Sequence, residues 1–320
     1  MNWWILILWI IVFVVLIIAL AVTIINSGSN YMLFSPSTNE HWTPTATVSS
    51  ILEDSKYSNL KEHFDLDRLV LTRMHYDRND VWLLAKDPTN CQERKVIMFC
   101  HGNSGNISQR RYIVEIACWF DVDVLLFDYR GFGSSNGAPT SYNICNDSQE
   151  IYLWLKQKYQ EKNIIIWGES IGGGPSCYLA TRNCPGRLVL FSSFSGLDDV
   201  VNMSTSISNL WKYVMKMAKY CTNILPNREW IKKVDCPTLI IHSPDDKLID
   251  VRQAEINYAA VHHENKELLL INGDHSNPDM DVKSVKSIYS FIHNKELNSE
   301  KAEMCRKLVK KLIKELRANW

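Results

Sequence analysis

The feature that most constrains this chain is a short segment in which bulky apolar residues lead directly into a glycine-flanked serine. Residues 164–167 read Ile-Ile-Ile-Trp, and residues 168–172 read Gly-Glu-Ser-Ile-Gly. A continuous apolar run of this kind is typical of a strand buried on both faces of a sheet. Small residues follow, and residues 176–181 indicate a helix. The segment therefore predicts that Ser170 lies in a sharp turn between a buried strand and a helix.

The glycines at 168 and 172 restrict this turn further, because a side chain at either position is expected to clash with the neighbouring strand and helix. Such a turn exposes the serine Oγ above the sheet and next to a helix N-terminus. A glycine-rich turn with a buried, inert serine would carry the same pattern. The strand before it and the helix after it favour the interpretation that Ser170 is a nucleophile.

Charge and cysteine usage exclude several classes of protein. The 320 residues include 35 Lys plus Arg and 35 Asp plus Glu, so the formal net charge is zero. Basic residues are not in excess, so the charge of the chain gives no indication of a nucleic-acid partner. The nine cysteines contain no Cys-x-x-Cys pair and most lie in apolar runs, so we expect buried free thiols rather than a disulfide framework or a zinc site.

Residues 3–25 form an apolar segment with one hydroxyl and no charge. At the rise of an α-helix, a segment of this length is sufficient to span a bilayer. The alternative is a cleaved signal peptide, with Ala19-Leu20-Ala21 as a cleavage site. Because the apolar run is long and no basic residue precedes it, we expect a retained transmembrane helix and a single-pass membrane protein.

Composition and the alternation of predicted strands and helices divide the rest of the chain into segments. Residues 26–64 predict a linker, since their first part is rich in Ser, Thr, Asn and Pro. Over residues 65–294, strands alternate with helices, which predicts an α/β domain with a mostly parallel central sheet flanked by helices. Residues 195–234 interrupt this alternation with an apolar insertion, interpreted as a small lid or as simple packing. Residues 295–320 predict a basic amphipathic helix that binds either a membrane surface or the domain.

A serine nucleophile needs a base, and the base needs an orienting carboxylate. The strand predicted at 238–241 is followed by Asp245 and Asp246, and the strand predicted at 268–271 is followed by His275. Both turns lie at the carboxyl ends of strands late in the chain, which is where the acid and the base that act with such a serine are expected. His275 is therefore the candidate base, and either aspartate is a candidate acid. No second acidic cluster is placed to complete a metal site with the aspartate pair.

A second glycine-rich turn, at residues 101–108, follows the buried strand predicted at 96–100. Its backbone N–H groups are candidates for contacting a developing oxyanion if the turn lies beside Ser170. An ordinary strand-to-helix turn is the alternative.

Four segments together resemble the α/β-hydrolase-domain serine hydrolases, in particular their membrane-anchored, prolyl-oligopeptidase-like branch. The segments are residues 101–108, 128–135, 168–173 and 246–249. The resemblance covers about residues 65–293 and implies an α/β-hydrolase fold with a Ser-Asp-His triad.

The resemblance also assigns individual residues. It selects Asp246 over Asp245 as the acid, because Asp246 precedes the Lys-Leu-Ile sequence at the family's acid position. It implies that the backbone N–H groups of Asn103 and Ile171 form the oxyanion hole. The sequence departs from the family at residues 275–277, which read His-Ser-Asn where His-Asn-Asp is usual.

We therefore expect a membrane-tethered serine hydrolase of lipid metabolism, without cofactor or metal. Ser170 would attack an acyl ester or thioester, His275 would take its proton, and Asp246 would hold the imidazole. Lipid esterase, lysophospholipase and protein depalmitoylase are the activities that the resemblance implies. A non-catalytic interaction module on a hydrolase scaffold and a serine peptidase are the alternatives.

The expected partners are a small acyl-chain substrate or a lipidated protein, together with membrane lipid. Unpaired cysteines suit a reducing compartment. In a lumen, the Asn-Ile-Ser sequon at Asn106 would be exposed to glycosylation, and a glycan there would crowd the site. We therefore expect the catalytic domain on the cytosolic side.

Overall fold

The computed structural model describes residues 3–40, 70–203 and 225–307, which contain twelve strands, the eight helices named below and a further helical segment at residues 299–307. The strands are β1 (Ser35–Pro36), β2 (Val70–Tyr76), β3 (Asn79–Ala85), β4 (Val96–Cys100), β5 (Ser104–Gly105), β6 (Asp123–Phe127), β7 (Ile164–Glu169), β8 (Arg187–Phe191), β9 (Thr238–His242), β10 (Lys266–Leu270), β11 (Asn272–Asp274) and β12 (Asn277–Asp279). The helices are α1 (Trp3–Leu33), α2 (Arg111–Trp119), α3 (Ser141–Leu155), α4 (Gly173–Ala180), α5 (Leu197–Met203), α6 (Asn227–Trp230), α7 (Arg252–Ala260) and α8 (Val282–His293).

The central sheet has eight strands in the order β10-β9-β8-β7-β4-β6-β3-β2. Neighbouring strands from β10 to β6 are parallel, whereas β3 is antiparallel to both β6 and β2. The expectation of a mostly parallel sheet flanked by helices is confirmed. The strand that carries the glycine-flanked serine, β7, lies between β4 and β8 in the middle of this sheet.

The apolar run in β7 is explained by burial on both faces of the sheet. Ile164 and Ile166 belong to a core cluster that includes residues of α3, α4 and α7. Ile165 and Trp167 belong to a second cluster, formed with residues of α2 and α8. Successive side chains of a strand point to opposite faces, so a strand covered by helices on both sides needs apolar residues at every position.

The first helix, α1, contains the whole segment predicted as an anchor and continues through residues 26–33. Its large side chains near the N-terminus are exposed, including those of Trp3, Trp4 and Phe13. Across the residues that the structure describes, however, no helix meets the combined length and hydropathy required of a membrane span. The transmembrane anchor at residues 3–25 is not confirmed and stays a prediction.

The predicted linker needs correction at its start. Residues 26–33 are helical, and residues 34–40 lie against the domain. Phe34 is buried with its ring edge-on to Phe132 at a centroid distance of 6.3 Å. Strand β1 pairs in parallel with β5, in the glycine-rich turn after β4. The Ser/Pro-rich composition indicated a linker, but the backbone here is paired; residues 41–64 lie outside the described part of the chain.

The predicted lid and C-terminal helix are described only in part. At the flanks of the insertion predicted at 195–234, Leu225 and Ile231 are buried in the core, and residues 204–224 lie outside the described part. Residues 299–307 are helical, with Ala302 and Cys305 buried against the α2 and α8 side of the sheet. This described portion of the predicted tail packs on the domain.

Candidate active site

Ser170 lies in the predicted turn, between β7 and α4. Its φ of 53° is in the left-handed region, which is strained for a residue with a side chain. A Cβ on Gly172 would come within 2.0 Å of the Cys100 carbonyl oxygen on β4, and a Cβ on Gly168 within 2.4 Å of Ser176 Oγ on α4. The predicted clash with the neighbouring strand and helix is therefore confirmed.

His275 lies between Ser170 and Asp246. Its Nε2 is 3.1 Å from Ser170 Oγ, and its Nδ1 is 2.6 Å from Asp246 Oδ2. The histidine occupies the turn between β11 and β12, a small antiparallel hairpin after β10. A carboxylate accepts the Nδ1–H, so Nε2 is left with its lone pair towards the serine hydroxyl. This is the arrangement in which a histidine can take a proton from a serine.

Asp246 is the aspartate of the pair that contacts the histidine, whereas Asp245 is exposed to solvent. Asp246 Oδ1 accepts backbone N–H bonds from Leu248 at 2.9 Å and Ile249 at 2.8 Å. Burial favours the neutral acid, but hydrogen bonds from the neighbouring histidines His242 and His275 outweigh it and hold the pKa of Asp246 well below its usual value. Asp246 is therefore a carboxylate.

The turn that carries Asn103 passes directly beside the serine, because β4 and β7 are paired neighbours with Cys100 opposite Gly168. A Cβ placed on Gly102 would lie 3.7 Å from Ser170 Cβ, which is ordinary contact. Ile171, the other residue expected in an oxyanion hole, follows Ser170 and is buried. The structure thus brings together both predicted backbone positions and the candidate nucleophile.

A buried neutral histidine, His101, stabilises this turn through a hydrogen bond to its backbone. His101 Nδ1 donates to the carbonyl oxygen of Gly102 at 2.7 Å. Burial, together with the charge of Arg110, lowers the pKa of His101 to about 3, so the imidazole is uncharged. The Tyr129 ring lies 4.2 Å from the His101 ring, and its hydroxyl donates to the His101 carbonyl oxygen at 3.1 Å. These contacts fix the backbone that leads into the turn.

Comparison with known proteins agrees with this fold. A model of the alpha/beta hydrolase fold family matches residues 95–213, which include β4, β7 and Ser170. The alpha/beta hydrolase domain-containing protein 17B of Homo sapiens is 26% identical over 223 residues, covering 69% of this chain and 71% of that protein. The chain is a hydrolase with the α/β-hydrolase fold.

Other relatives extend the comparison. The lysophosphatidylserine lipase ABHD12 of Danio rerio is 29% identical over 168 residues, which cover 48% of this chain and 44% of the lipase. Among solved structures, an esterase of Pyrococcus furiosus superposes with a TM-score of 0.56 at 17% identity, covering 89% of this chain and 97% of the esterase. At that identity the superposition shows a shared fold.

A cavity of about 360 Å³ opens above the serine of this hydrolase. Its volume is within the range of small-molecule sites, which is about 300–1,000 Å³. The lining residues are Gly102, Asn103, Ser104, Gln109, Arg110, Tyr112, Glu169, Ser170, Phe191, Leu248, His275, Ser276 and Pro278. Ser170 and His275 are thus both accessible from the cavity.

Sequence reasoning missed a charged cluster in the cavity wall. The Tyr112 hydroxyl donates to the Glu169 carboxylate, and Arg110 Nε lies 3.8 Å from Glu169 Oε2. The Arg110 side chain is only 7% exposed and donates from Nη2 to the Ser104 carbonyl oxygen at 2.5 Å. Arg110 and Tyr112 are remote from Glu169 in sequence, so no local pattern connected them.

His242 was also missed. It is fully buried, and its Nε2 lies 2.8 Å from the Ile249 carbonyl oxygen and 3.4 Å from Asp246 Oδ2. Its N–H is therefore shared between the loop backbone and the carboxylate. His242 ends β9, four residues before Asp246, and this spacing at a strand end is the signal that could have identified it.

Proposed function

We propose that this protein is a membrane-tethered serine hydrolase that cleaves acyl esters or thioesters through Ser170, His275 and Asp246. The observation that carries the proposal is the continuous hydrogen-bonded row from Ser170 Oγ through the His275 ring to Asp246 Oδ2. It lies at an open cavity and ends on a strained strand-to-helix turn. The prolyl-oligopeptidase-like branch of the family is part of the proposal, on the strength of the sequence motifs.

In the proposed mechanism, His275 Nε2 takes the proton of Ser170 Oγ while Oγ bonds to the acyl carbonyl carbon. The backbone N–H groups of Asn103 and Ile171 donate to the resulting oxyanion. Asp246 stabilises the imidazolium that has formed. When the tetrahedral intermediate collapses, His275 returns the proton to the departing alcohol or thiol, and an acyl-serine remains.

Water completes the cycle by the same route. His275 takes a proton from water as the water oxygen attacks the acyl-serine carbonyl. Collapse of the second intermediate releases the carboxylic acid, and the proton returns to Ser170 Oγ. Each step uses only side chains and backbone groups of this chain, so the mechanism needs neither metal nor cofactor.

The proposed substrate class is a lipid or a lipidated protein with an acyl chain. Apolar side chains of Phe191 and Leu248 line the cavity, and Leu248 is 64% exposed at its edge. One relative is named as a lipase that acts on lysophosphatidylserine. The apolar sequence of residues 3–25 supports tethering near such substrates.

The proposed location of the domain is the cytosolic side of the membrane. Eight described cysteines are free thiols, which suits a reducing compartment. The sequon argument is weaker than expected at Asn106, because this side chain is buried and donates to the carbonyl oxygens of Ser37 and Asn39. In the folded domain the Asn106 side chain is therefore not accessible for glycosylation.

The test is hydrolysis of p-nitrophenyl esters of increasing chain length by the full-length wild type, Ser170→Ala and the control Ser276→Ala. Ser276 lines the same cavity but is exposed and lies outside the hydrogen-bonded row. We expect Ser170→Ala to lose at least about 10⁴-fold in kcat and Ser276→Ala to stay near wild type. Equal activity of all three proteins would refute the proposed mechanism.

The alternatives predict different patterns in the same assay. An interaction module without catalysis would give no Ser170-dependent hydrolysis of any ester. A peptidase would also hydrolyse matched anilides at a measurable rate, whereas the proposed enzyme hydrolyses only the esters and thioesters.

A further inference from the structure

Residues 34–40, here called the N-terminal strap, lie against the turn that carries Asn103. The Ser35 N–H is 3.2 Å from the Asn103 carbonyl oxygen and 3.2 Å from Asn103 Oδ1. Two residues further on, the Ser37 N–H donates to the Gly105 carbonyl oxygen at 3.1 Å. These bonds form the parallel pairing of β1 with β5. The strap therefore binds both the backbone and the side chain of Asn103.

The strap is also bound from its other side. The Ser37 carbonyl oxygen accepts from the Gly133 N–H and from Asn106 Nδ2, each at 2.9 Å. Asn106 Nδ2 also donates to the Asn39 carbonyl oxygen at 2.8 Å. Asn106 is buried in the folded protein, where its amide bonds to the strap instead of to bulk water. The strap thus joins two turns of the domain, those of Asn106 and Gly133.

An aromatic contact extends from the strap towards the same turn. Phe34 is 5% exposed and meets Phe132 edge-on. Phe132 in turn lies 5.0 Å from the ring of His101, whose Nδ1 donates to the Gly102 carbonyl oxygen. The residues on both sides of Asn103 are therefore held through contacts that begin in the strap.

The turn itself has little regular structure of its own. Its two-residue strand β5 has β1 as its partner, and Gly105 adopts a φ of 76°. Without the strap, the Asn103 and Gly105 carbonyl groups would lose their donors, and this backbone would gain conformations. An oxyanion donor must be held at hydrogen-bonding distance from the developing charge, and losing one typically costs about 10²–10³ in kcat.

We propose that the N-terminal strap is a positioning element that holds the Asn103 amide in place for catalysis. This inference rests on the proposed function, since it concerns the oxyanion site of that reaction. Helix α1 ends at Leu33 and the strap begins at the next residue. The N-terminal helix and the oxyanion turn are therefore mechanically linked without an intervening loop.

The test compares Ser35→Pro with Ser35→Ala in the full-length protein in detergent micelles. Proline removes the N–H that reaches Asn103, whereas alanine keeps it and removes only the hydroxyl. We expect Ser35→Pro to lower kcat for an acyl ester by about 10- to 100-fold, less than the full loss of an oxyanion donor because the Asn103 amide is displaced rather than removed, with KM changed less than about threefold. Ser35→Ala should match the wild type in both constants.

Hydrogen exchange distinguishes a local effect on the turn that carries Asn103 from a general destabilisation of the fold. Amides of residues 101–109 should exchange faster in Ser35→Pro than in Ser35→Ala, while those of β7 and β8 remain unchanged. A kcat for Ser35→Pro equal to that of the wild type would overturn the inference, even though Ser170-dependent hydrolysis was intact. Wild-type protein without Ser170-dependent hydrolysis would overturn the proposed function and the inference with it.

A second pair covers the case in which Ser35→Pro does not fold. Ser37→Pro removes the N–H that reaches Gly105, and Ser37→Ala keeps it. A folded Ser37→Pro variant with the same loss of kcat supports the positioning role. If both proline variants fail to fold while both alanine controls fold, the strap is a folding element and the positioning role is refuted.

Discussion

Replacing Asp246 with asparagine tests how the row of hydrogen bonds controls the tautomer of His275. Asp246 Oδ1 accepts two backbone N–H bonds, from Leu248 and Ile249. The carbonyl oxygen of an asparagine is expected to keep this position, because an NH₂ group there would face two donors. Its NH₂ group would then face His275 Nδ1, 2.6 Å from Oδ2 in the wild type.

This orientation reverses the polarity of the contact with the histidine. His275 Nδ1 would have to accept from the amide, so the ring proton would move to Nε2 and face Ser170 Oγ. A protonated Nε2 cannot take the serine proton. Loss of the correct tautomer costs about 10⁴ in kcat in the serine protease precedent, and we expect about 10³–10⁴ here, or about 4–5.5 kcal/mol in the activation barrier.

The assay measures kcat and KM for one p-nitrophenyl ester with the wild type, Asp246→Asn and Asp245→Asn. Asp245 makes the matched control because it is the adjacent residue, has the same chemistry and is exposed. We expect Asp245→Asn to retain kcat within about threefold, the size of a surface change without a catalytic contact. A loss of less than tenfold in Asp246→Asn, or a larger loss in Asp245→Asn, would refute the tautomer argument.

Three further predictions concern stability and the membrane. Gly172→Ala should lower the free energy of unfolding by at least about 1–3 kcal/mol in urea titration, since its Cβ would lie 2.0 Å from a β4 carbonyl oxygen; an unchanged midpoint would contradict the close approach. The lowered pKa of Asp246 stabilises the fold above the unfolded value of about 3.9 and ceases to do so as pH falls through the lower folded value. The contribution of Asp246 to the difference in unfolding free energy between wild type and Asp246→Asn should therefore shrink as pH falls below about 4, and a difference that grows on acidification below that pH would contradict the assigned sign. Full-length protein should stay in the membrane fraction after alkaline carbonate washing if residues 3–25 span the bilayer; release with a new N-terminus near Asn26 would indicate a signal peptide.

The parts of the fold that sequence predicted are those determined by local pattern. The apolar run at 164–167 indicated a doubly buried strand, and the glycines around Ser170 indicated a close approach that the structure contains. The antiparallel pairing of β3 was not predicted, since alternation of strands and helices carries no information about which way an early strand runs. Burial patterns therefore identified strands better than they identified pairings.

The parts that sequence missed depend on contacts between distant segments. The sequence predicts a linker at the strap and not a paired segment, because the bonds of the strap to Asn103, Gly105 and Gly133 are made by its backbone groups, which any residue except proline supplies. The choice between Asp245 and Asp246 could not be made from their identical side chains. Only the family resemblance separated them, and in the structure the two differ through burial and contact with His275.

The central claim is that Ser170 is the nucleophile, and the most direct measurement is the site of covalent modification. Full-length wild-type protein is treated with a fluorophosphonate, digested, and mapped by tandem mass spectrometry, with Asp246→Asn treated in parallel. We expect one stoichiometric adduct on Ser170 in the wild type and much slower formation of the same adduct in Asp246→Asn. An adduct on another serine, or none on the folded wild type, would contradict it.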